Sequence, residues 1–367
     1  MNQYSKKTEI ANIESYSQEG RIKLGNEMLK KHRLYLDTKY WIFMRDASLG
    51  KASSIQIKIY EKLKDLAKRN IAICPLSPHI FFELMSISDK QKRLDTARAM
   101  DELSQQICFI SPLNIMEQEI LSFIRYCQVK AMGKPLFNTT KYVFTKIPFV
   151  MGEYYPAVEK IPHEQMNDIR IQFFDHLSTF TLTEMLKAMR GDFPLWNREN
   201  LVAKLNQGKD DNQNWRSFHE VFMHEIAGVL DTVKDEIQKV WIYIYENDTG
   251  CMVKSDEVNK SECVRLLFNL ICHAFDQKKI NKELPFFHIN ASLHAFLRYN
   301  KTQRLKENDL IDFSHAAWAL PYCDMFLTEK PLHDWICNKP LRLNEIYRCK
   351  VLWKEEDVLN ALESLEN

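Results

Sequence analysis

Nine glycines in 367 residues leave no Gly-rich loop able to wrap the phosphates of a nucleotide, which sets nucleotide-cradling functions aside. No apolar run reaches the roughly 18 residues that a membrane-spanning helix needs. The polar start MNQYSKKTEI lacks the apolar core of a secretion signal, so a cytoplasmic location with no membrane association is expected. The nine cysteines form no C-x-x-C pair, and an odd number spread over a long chain points to reduced thiols rather than a disulfide framework. Charge of neither sign dominates: 50 basic residues balance 49 acidic ones, so the net charge of +1 names no partner. No internal repeat is evident. What is present is 45% hydrophobic residues, enough for a sizeable core and two structural units.

The chemistry concentrates in Asn308–Lys330, NDLIDFSHAAWALPYCDMFLTEK. A helix over Asp309–Leu320 puts Asp309 and Asp312 on one face, continued by His315, Ala316 and Ala319, and Pro321 stops it. Met325–Leu327 then reads as a short buried strand with Asp324 at one end and Thr328 and Glu329 at the other. Two Asp at a helix start have an equally weighted bland reading, since an aspartate caps free backbone N–H groups. Far upstream, Arg33-Leu-Tyr-Leu-Asp37-Thr38 is an apolar strand ending in an acid, the crevice position of an open α/β sheet. A helix over Ile55–Lys68 and a strand over Ile71–Leu76 follow. Ser77-Pro78 opens another helix, Pro78–Ile87, in which Glu83 sits among Phe81, Phe82, Leu84 and Met85 and must be solvated, paired or metal-bound.

These residues resemble the PIN-domain family of metal-dependent nucleases, which includes toxins of bacterial toxin–antitoxin pairs. The resemblance rests on a strand ending in Asp (Leu34-Tyr35-Leu36-Asp37-Thr38), a Glu in the helix after the second strand (Glu83), a D-x-x-H-x-A-x-A helix (Asp312, His315, Ala317, Ala319) and an acid-strand-Thr segment (Asp324-Met-Phe-Leu-Thr328). The family's final Asp falls on Lys330, so the fourth carboxylate is Glu329 or Asp324. Tyr347–Val351 reads as a last edge strand and Glu355–Leu362 as a last helix. The resemblance implies a three-layer α/β/α sandwich with a mostly parallel sheet, its strands including Leu34–Leu36, Ile71–Leu76, Ile107–Ile110 and Met325–Leu327. It spans residues 30–125 and 300–367, after an N-terminal extension over 1–29. Residues 126–299 are a mainly helical insertion, with helices over Ile169–Arg190, Trp215–Val229 and Asp231–Tyr243. Such an insertion serves as a lid, a substrate platform or a partner surface.

The resemblance further implies a site in which Asp37, Glu83 and Asp312, with Asp324 or Glu329 and with Asp309 nearby, bind one or two Mg²⁺ or Mn²⁺ ions that activate water against a phosphodiester. Thr38 and Thr328 are then supporting donors, and His315 either orients a carboxylate or is a satisfied core histidine. RNA is the expected substrate ahead of DNA, and a small protein inhibitor or antitoxin the expected partner. Arg298, Lys301, Arg304 and Lys306 form a candidate phosphate-binding run or a solvated linker. Tyr299 and Trp318 are candidates for base stacking, with Trp318 more naturally a core residue. The Lys330 departure keeps a second class open, a non-catalytic interaction module on the same fold. Two distractions are set aside: His219 and His224 are five apart, one too many for a zinc-protease helix, and Cys263, Cys272, His273 and His288 are loosely spaced for zinc.

Overall fold

The computed structural model describes residues 12–132, 139–158, 161–189, 198–211, 214–251, 253 and 260–366. Among the described residues six short strands carry the sheet elements: β1 (His32–Leu36), β2 (Ala72–Ile73), β3 (Ile107–Phe109), β4 (Phe144–Lys146), β5 (Met325–Leu327) and β6 (Lys350–Leu352). Leu34, Tyr35 and Leu36 are all completely buried, the signature of a central parallel strand covered on both faces rather than an alternating half-buried one. Accordingly β1 pairs in parallel with β2 on one side and β5 on the other, with Leu34 opposite Met325 and Leu36 opposite Leu327. β6 pairs in parallel outside β5, giving the order β2-β1-β5-β6. A parallel bridge between Leu76 and Cys108 attaches β3 beyond β2, and β4 pairs antiparallel with β3.

Parallel neighbours require crossovers, and helices supply them. Helices Thr38–Ser48 and Ser54–Lys68 connect β1 to β2, the second started by a reciprocal Ser53/Gln56 capping box. Helix Pro78–Ser86 begins at Ser77, whose hydroxyl accepts from the Ile80 N–H, with Pro78 in the first turn where its missing N–H costs nothing. Helix Glu307–Tyr322 leads into β5, and helix Glu355–Glu363 follows β6. The architecture is mixed α/β, a small parallel sheet surrounded by many helices. Among the described residues no helix is long and apolar enough to cross a membrane.

The region 126–299 is mainly helical but also supplies β4, a strand absent from the sequence reading, so it extends the sheet instead of only hanging from it. The helix expected over Ile169–Arg190 is two, His163–Leu177 and Leu182–Ala188, because Thr181 and Glu184 form a capping box that starts a second helix; Arg190 lies outside the described residues. Helices Phe218–Thr232 and Lys234–Thr249 match the other two expectations, each shifted toward the C-terminus. Helix Pro285–Tyr299 packs on both Phe218–Thr232 and Glu307–Tyr322, joining insertion to sheet. Its N-terminus is held by Glu119, fully buried on helix Pro112–Met132, whose carboxylate accepts from the Phe286 N–H at 3.0 Å and from the Tyr322 hydroxyl at 2.5 Å. Burial outweighs those bonds and pushes the Glu119 pKa up to about 8. The N-terminal helix Ile13–Met28 lies against the turn Thr139–Tyr142, and a side chain at Gly25 would overlap the Lys141 backbone. One connected cluster of buried apolar side chains runs from the sheet into these helices.

Candidate functional site

Because β1, β5 and β6 run in parallel, their carboxyl ends share one edge. Asp37 follows β1, Thr328 and Glu329 follow β5, and Trp353 follows β6. The ladder continues one step past the strands: the Asp37 N–H donates to Leu327 O at 3.0 Å and the Thr328 N–H to Leu352 O at 2.9 Å. Asp37 also caps helix Thr38–Ser48, its carboxylate accepting from the Tyr40 N–H at 3.2 Å. Glu83 arrives from helix Pro78–Ser86, and Asp312 and His315, one turn apart, from helix Glu307–Tyr322.

A hydrogen-bond chain ties these groups together. Ser77 Oγ meets the Tyr35 hydroxyl at 2.6 Å, which meets His315 Nδ1 at 2.8 Å. His315 Nε2 donates to Glu83 Oε2 at 2.9 Å, and the Thr38 hydroxyl donates to the same oxygen at 2.5 Å. Burial alone would raise the Glu83 pKa, yet the His315 charge and the bonds from His315 and Thr38 outweigh it, so Glu83 is held below the usual carboxylate range. Burial likewise opposes the His315 charge, but Glu83, then Asp37 and Asp312, raise its pKa on balance. His315 is 2% exposed and has a hydrogen-bond partner on each ring nitrogen, Tyr35 on Nδ1 and Glu83 on Nε2, with the nearby carboxylates favouring its charged form.

Asp37 and Asp312 behave oppositely. Burial pushes Asp37 up to about 6 despite the lowering effects of His315, Thr328 and the Tyr40 N–H. Burial also drives Asp312 to about 7, and although His315 lowers it, the Asp37 charge raises it further, followed by Asp309 and Glu329. Residues 275 positions apart are thus brought near enough for the Asp37 charge to disfavour ionisation of Asp312. The Thr328 hydroxyl is completely buried; it lies near enough to Asp37 to favour its charge, yet meets no partner in good hydrogen-bond geometry. Oxygen donors that burial holds toward their neutral form, beside an unsatisfied hydroxyl, suit a hard divalent cation in type. Among the described residues no three His, Cys, Asp or Glu side chains already stand at metal-ligand spacing.

Several candidates fall elsewhere. Asp324 precedes β5, so it sits at the opposite end of the strand from Thr328; its carboxylate takes the Arg33 N–H at 2.8 Å and the Arg33 guanidinium at 2.7 and 3.1 Å. That position and pairing put Asp324 at the end of the sheet away from Asp37, whereas Glu329 is exposed at the Asp37 end. Asp309 accepts from the Lys306 N–H at 2.7 Å, the capping role, while its charge still reaches Asp312. Arg298 is part-buried in an ion pair with Glu225, and exposed Arg304 is paired with Asp210 at 2.7 Å, so both guanidinium groups already have a carboxylate partner; Lys301 and Lys306 are exposed. Trp318 is a core residue, stacked on Phe109 with centroids 5.2 Å apart, and Tyr299 is exposed with its ring edge-to-face with Phe218. His219 pairs with Asp276, and His288 bonds the Tyr347 hydroxyl; the Cys263 side chain lies outside the described residues.

Sequence reasoning misses Tyr35 and Ser77 as members of the site. Tyr35 carries a usable signal, since a phenol in a fully buried strand must find a partner for its hydroxyl. Lys330 does not pair with Glu329; its ammonium lies 5.4 Å from the centroid of the Trp353 ring. Comparison of the chain with protein-family models, with curated proteins and with solved structures gives no match.

Proposed function

We propose that the chain is a divalent-metal-dependent nuclease on a PIN-like α/β/α sandwich, hydrolysing phosphodiester bonds in RNA. The observation that supports the reading is that Asp37, at the carboxyl end of β1, lies within electrostatic reach of Asp312, whose helix also carries the His315 that bonds Glu83. The strand order, β3 bridged to β2, then β1, β5 and β6, all parallel, supports the sandwich assignment.

In this reading Asp37, Glu83 and Asp312, with Glu329, hold Mg²⁺ or Mn²⁺, which when bound lowers the pKa of water and polarises the phosphodiester. The chain's own contribution is fixed geometry. The cap bond to the Tyr40 N–H holds the Asp37 side chain, and Thr38 and His315 together favour the ionised form of Glu83. Tyr35 and Ser77 hold His315 in turn, so the imidazole cannot swing away when the neighbouring charges change. Buried Asp37 and half-buried Asp312 keep a dry wall on one side while Glu329 faces solvent, where a polynucleotide approaches.

The test is incubation of the purified protein with labelled RNA and DNA pools in Mg²⁺, Mn²⁺ or EDTA. Metal-dependent RNA cleavage that disappears in D37N and D312N is the expected result. Full activity in both variants would refute the site, and DNA cleavage with RNA untouched would reverse the substrate assignment.

A further inference from the structure

We propose that Trp353, Lys330 and Lys354 form a strand-binding subsite that takes an unstacked base and the adjacent phosphates of a single-stranded polynucleotide. The substrate class rests on the nuclease reading above. The position is set by the ladder: Trp353 follows β6 as Thr328 follows β5 and Asp37 follows β1, so the Trp353 backbone stands two strand spacings, roughly 10 Å, along the edge from that of Asp37. That is the reach of a neighbouring nucleotide on a strand whose scissile phosphate sits at the carboxylates.

The three side chains are built for this chemistry. The Lys330 and Lys354 ammonium groups lie 5.4 and 5.3 Å from the centroid of the same half-buried indole ring. Both lysines are exposed, and among the described residues neither has an acidic partner at ion-pair distance, although Glu329 and Glu355 adjoin them in sequence. Glu355 is instead taken by the Gln56 amide at 2.8 Å. Each ammonium is drawn to the ring, and phosphates arriving beside it would meet both positive charges. The platform itself is anchored, because the Tyr40 hydroxyl donates to Trp353 O at 3.2 Å from the helix that Asp37 caps. An anchored aromatic with flanking cations is the arrangement by which single strands are gripped without sequence readout, the base stacking on the ring and the phosphates meeting the ammonium groups. On this account Lys330, which stands where the resemblance places an acid, exchanges a metal ligand for a substrate contact.

Binding of a short fluorescein-labelled single-stranded RNA to the full chain in EDTA, followed by anisotropy over a range of salt, reads the subsite without catalysis. The double variant K330A/K354A should bind about tenfold more weakly and lower the slope of log affinity on log salt by about 1.4, some 0.7 for each phosphate no longer neutralised. W353A should weaken binding about tenfold while W353F keeps most of it, since phenylalanine retains a stacking face. D37N should bind at least as tightly as the wild type. Unchanged affinity and salt slope in all three subsite variants, with metal-dependent cleavage intact, would overturn the subsite and leave the nuclease standing. Lower melting temperature with an unchanged salt slope would assign the trio to structure and overturn it equally. A wild-type protein that neither binds nor cleaves RNA or DNA would overturn both readings.

Discussion

Replacing Asp37 with Asn should stabilise the metal-free protein at pH 8, an unusual direction for a change at a buried, hydrogen-bonded position. Asn caps helices as well as Asp does, so helix Thr38–Ser48 keeps its bond from the Tyr40 N–H. What is removed is charge. The Asp37 carboxyl titrates near 3.8 in the unfolded chain and about 6 in the folded one. Between those values the folded protein retains a proton that the unfolded chain has released, so stability falls as pH rises through the window and stays reduced above it. A difference of some two units at about 1.36 kcal/mol each makes the loss about 3 kcal/mol, of which D37N is spared. The gain over wild type should therefore be a few degrees in melting temperature at pH 8 and about half that at pH 5. Manganese should invert the order, since an ion at a thousand times its dissociation constant adds about 4.1 kcal/mol to the wild type and little to the variant. Thermal melts at the two pH values, in EDTA and in Mn²⁺, provide the measurement. An equal shift at pH 5 and pH 8, or equal stabilisation of both proteins by Mn²⁺, would refute the reasoning.

Four further outcomes are expected. Glu119, raised from 4.5 to about 8 by burial, makes the protein lose stability as pH climbs between those values; E119Q should flatten that dependence in melting curves, whereas E119A should cost about 2–4 kcal/mol by stranding the Phe286 N–H and the Tyr322 hydroxyl. H315A should cost about 3–5 kcal/mol in urea unfolding, because it removes the ion-pair partner that offsets the burial of Glu83. D324A should retain metal-dependent cleavage and change stability by no more than about 1 kcal/mol, since its pair with Arg33 is part-exposed and at the far end of the strand. K330D should tighten Mn²⁺ binding, measured by calorimetry, by about tenfold if a further carboxylate reaches the ion, while weakening RNA binding in EDTA.

Local signals in the sequence are sufficient wherever one segment decides its own structure. The fully apolar Leu34-Tyr35-Leu36 is readable as a buried parallel strand, and the Ser77-Pro78 start fixes helix Pro78–Ser86 to within a residue. Pro321 reads as a stop, yet helix Glu307–Tyr322 carries it in its last turn, where only one backbone bond is forgone. The last strand begins later than the Tyr347 start that its apolar pattern suggests: Leu343–Tyr347 is a short helix, Arg348 takes a left-handed conformation, and pairing begins only at Lys350. At the site, Asp37, Glu83 and Asp312 are legible as acids in apolar settings. The fate of Asp324 is not, because strand direction and the Arg33 partner 291 residues away decide it. Arg298 and Arg304 look free for the same reason, their acidic partners lying 73 and 94 residues upstream.

The position of the two halves of the site along the chain also governs when it can exist during synthesis. Asp37 and Glu83 emerge early, but Asp312 and Glu329 are made only after the whole helical insertion. Until β5 appears, β1 has β2 as its neighbour and an open edge along Leu34–Leu36, three apolar residues that invite pairing with other chains. The ribosome-bound chain is thus both most prone to aggregate and least able to gather its carboxylates over the same interval. Closing the sheet with β5 ends both conditions in one step, so burial of the sticky edge and assembly of the charged cluster arrive as a single late event.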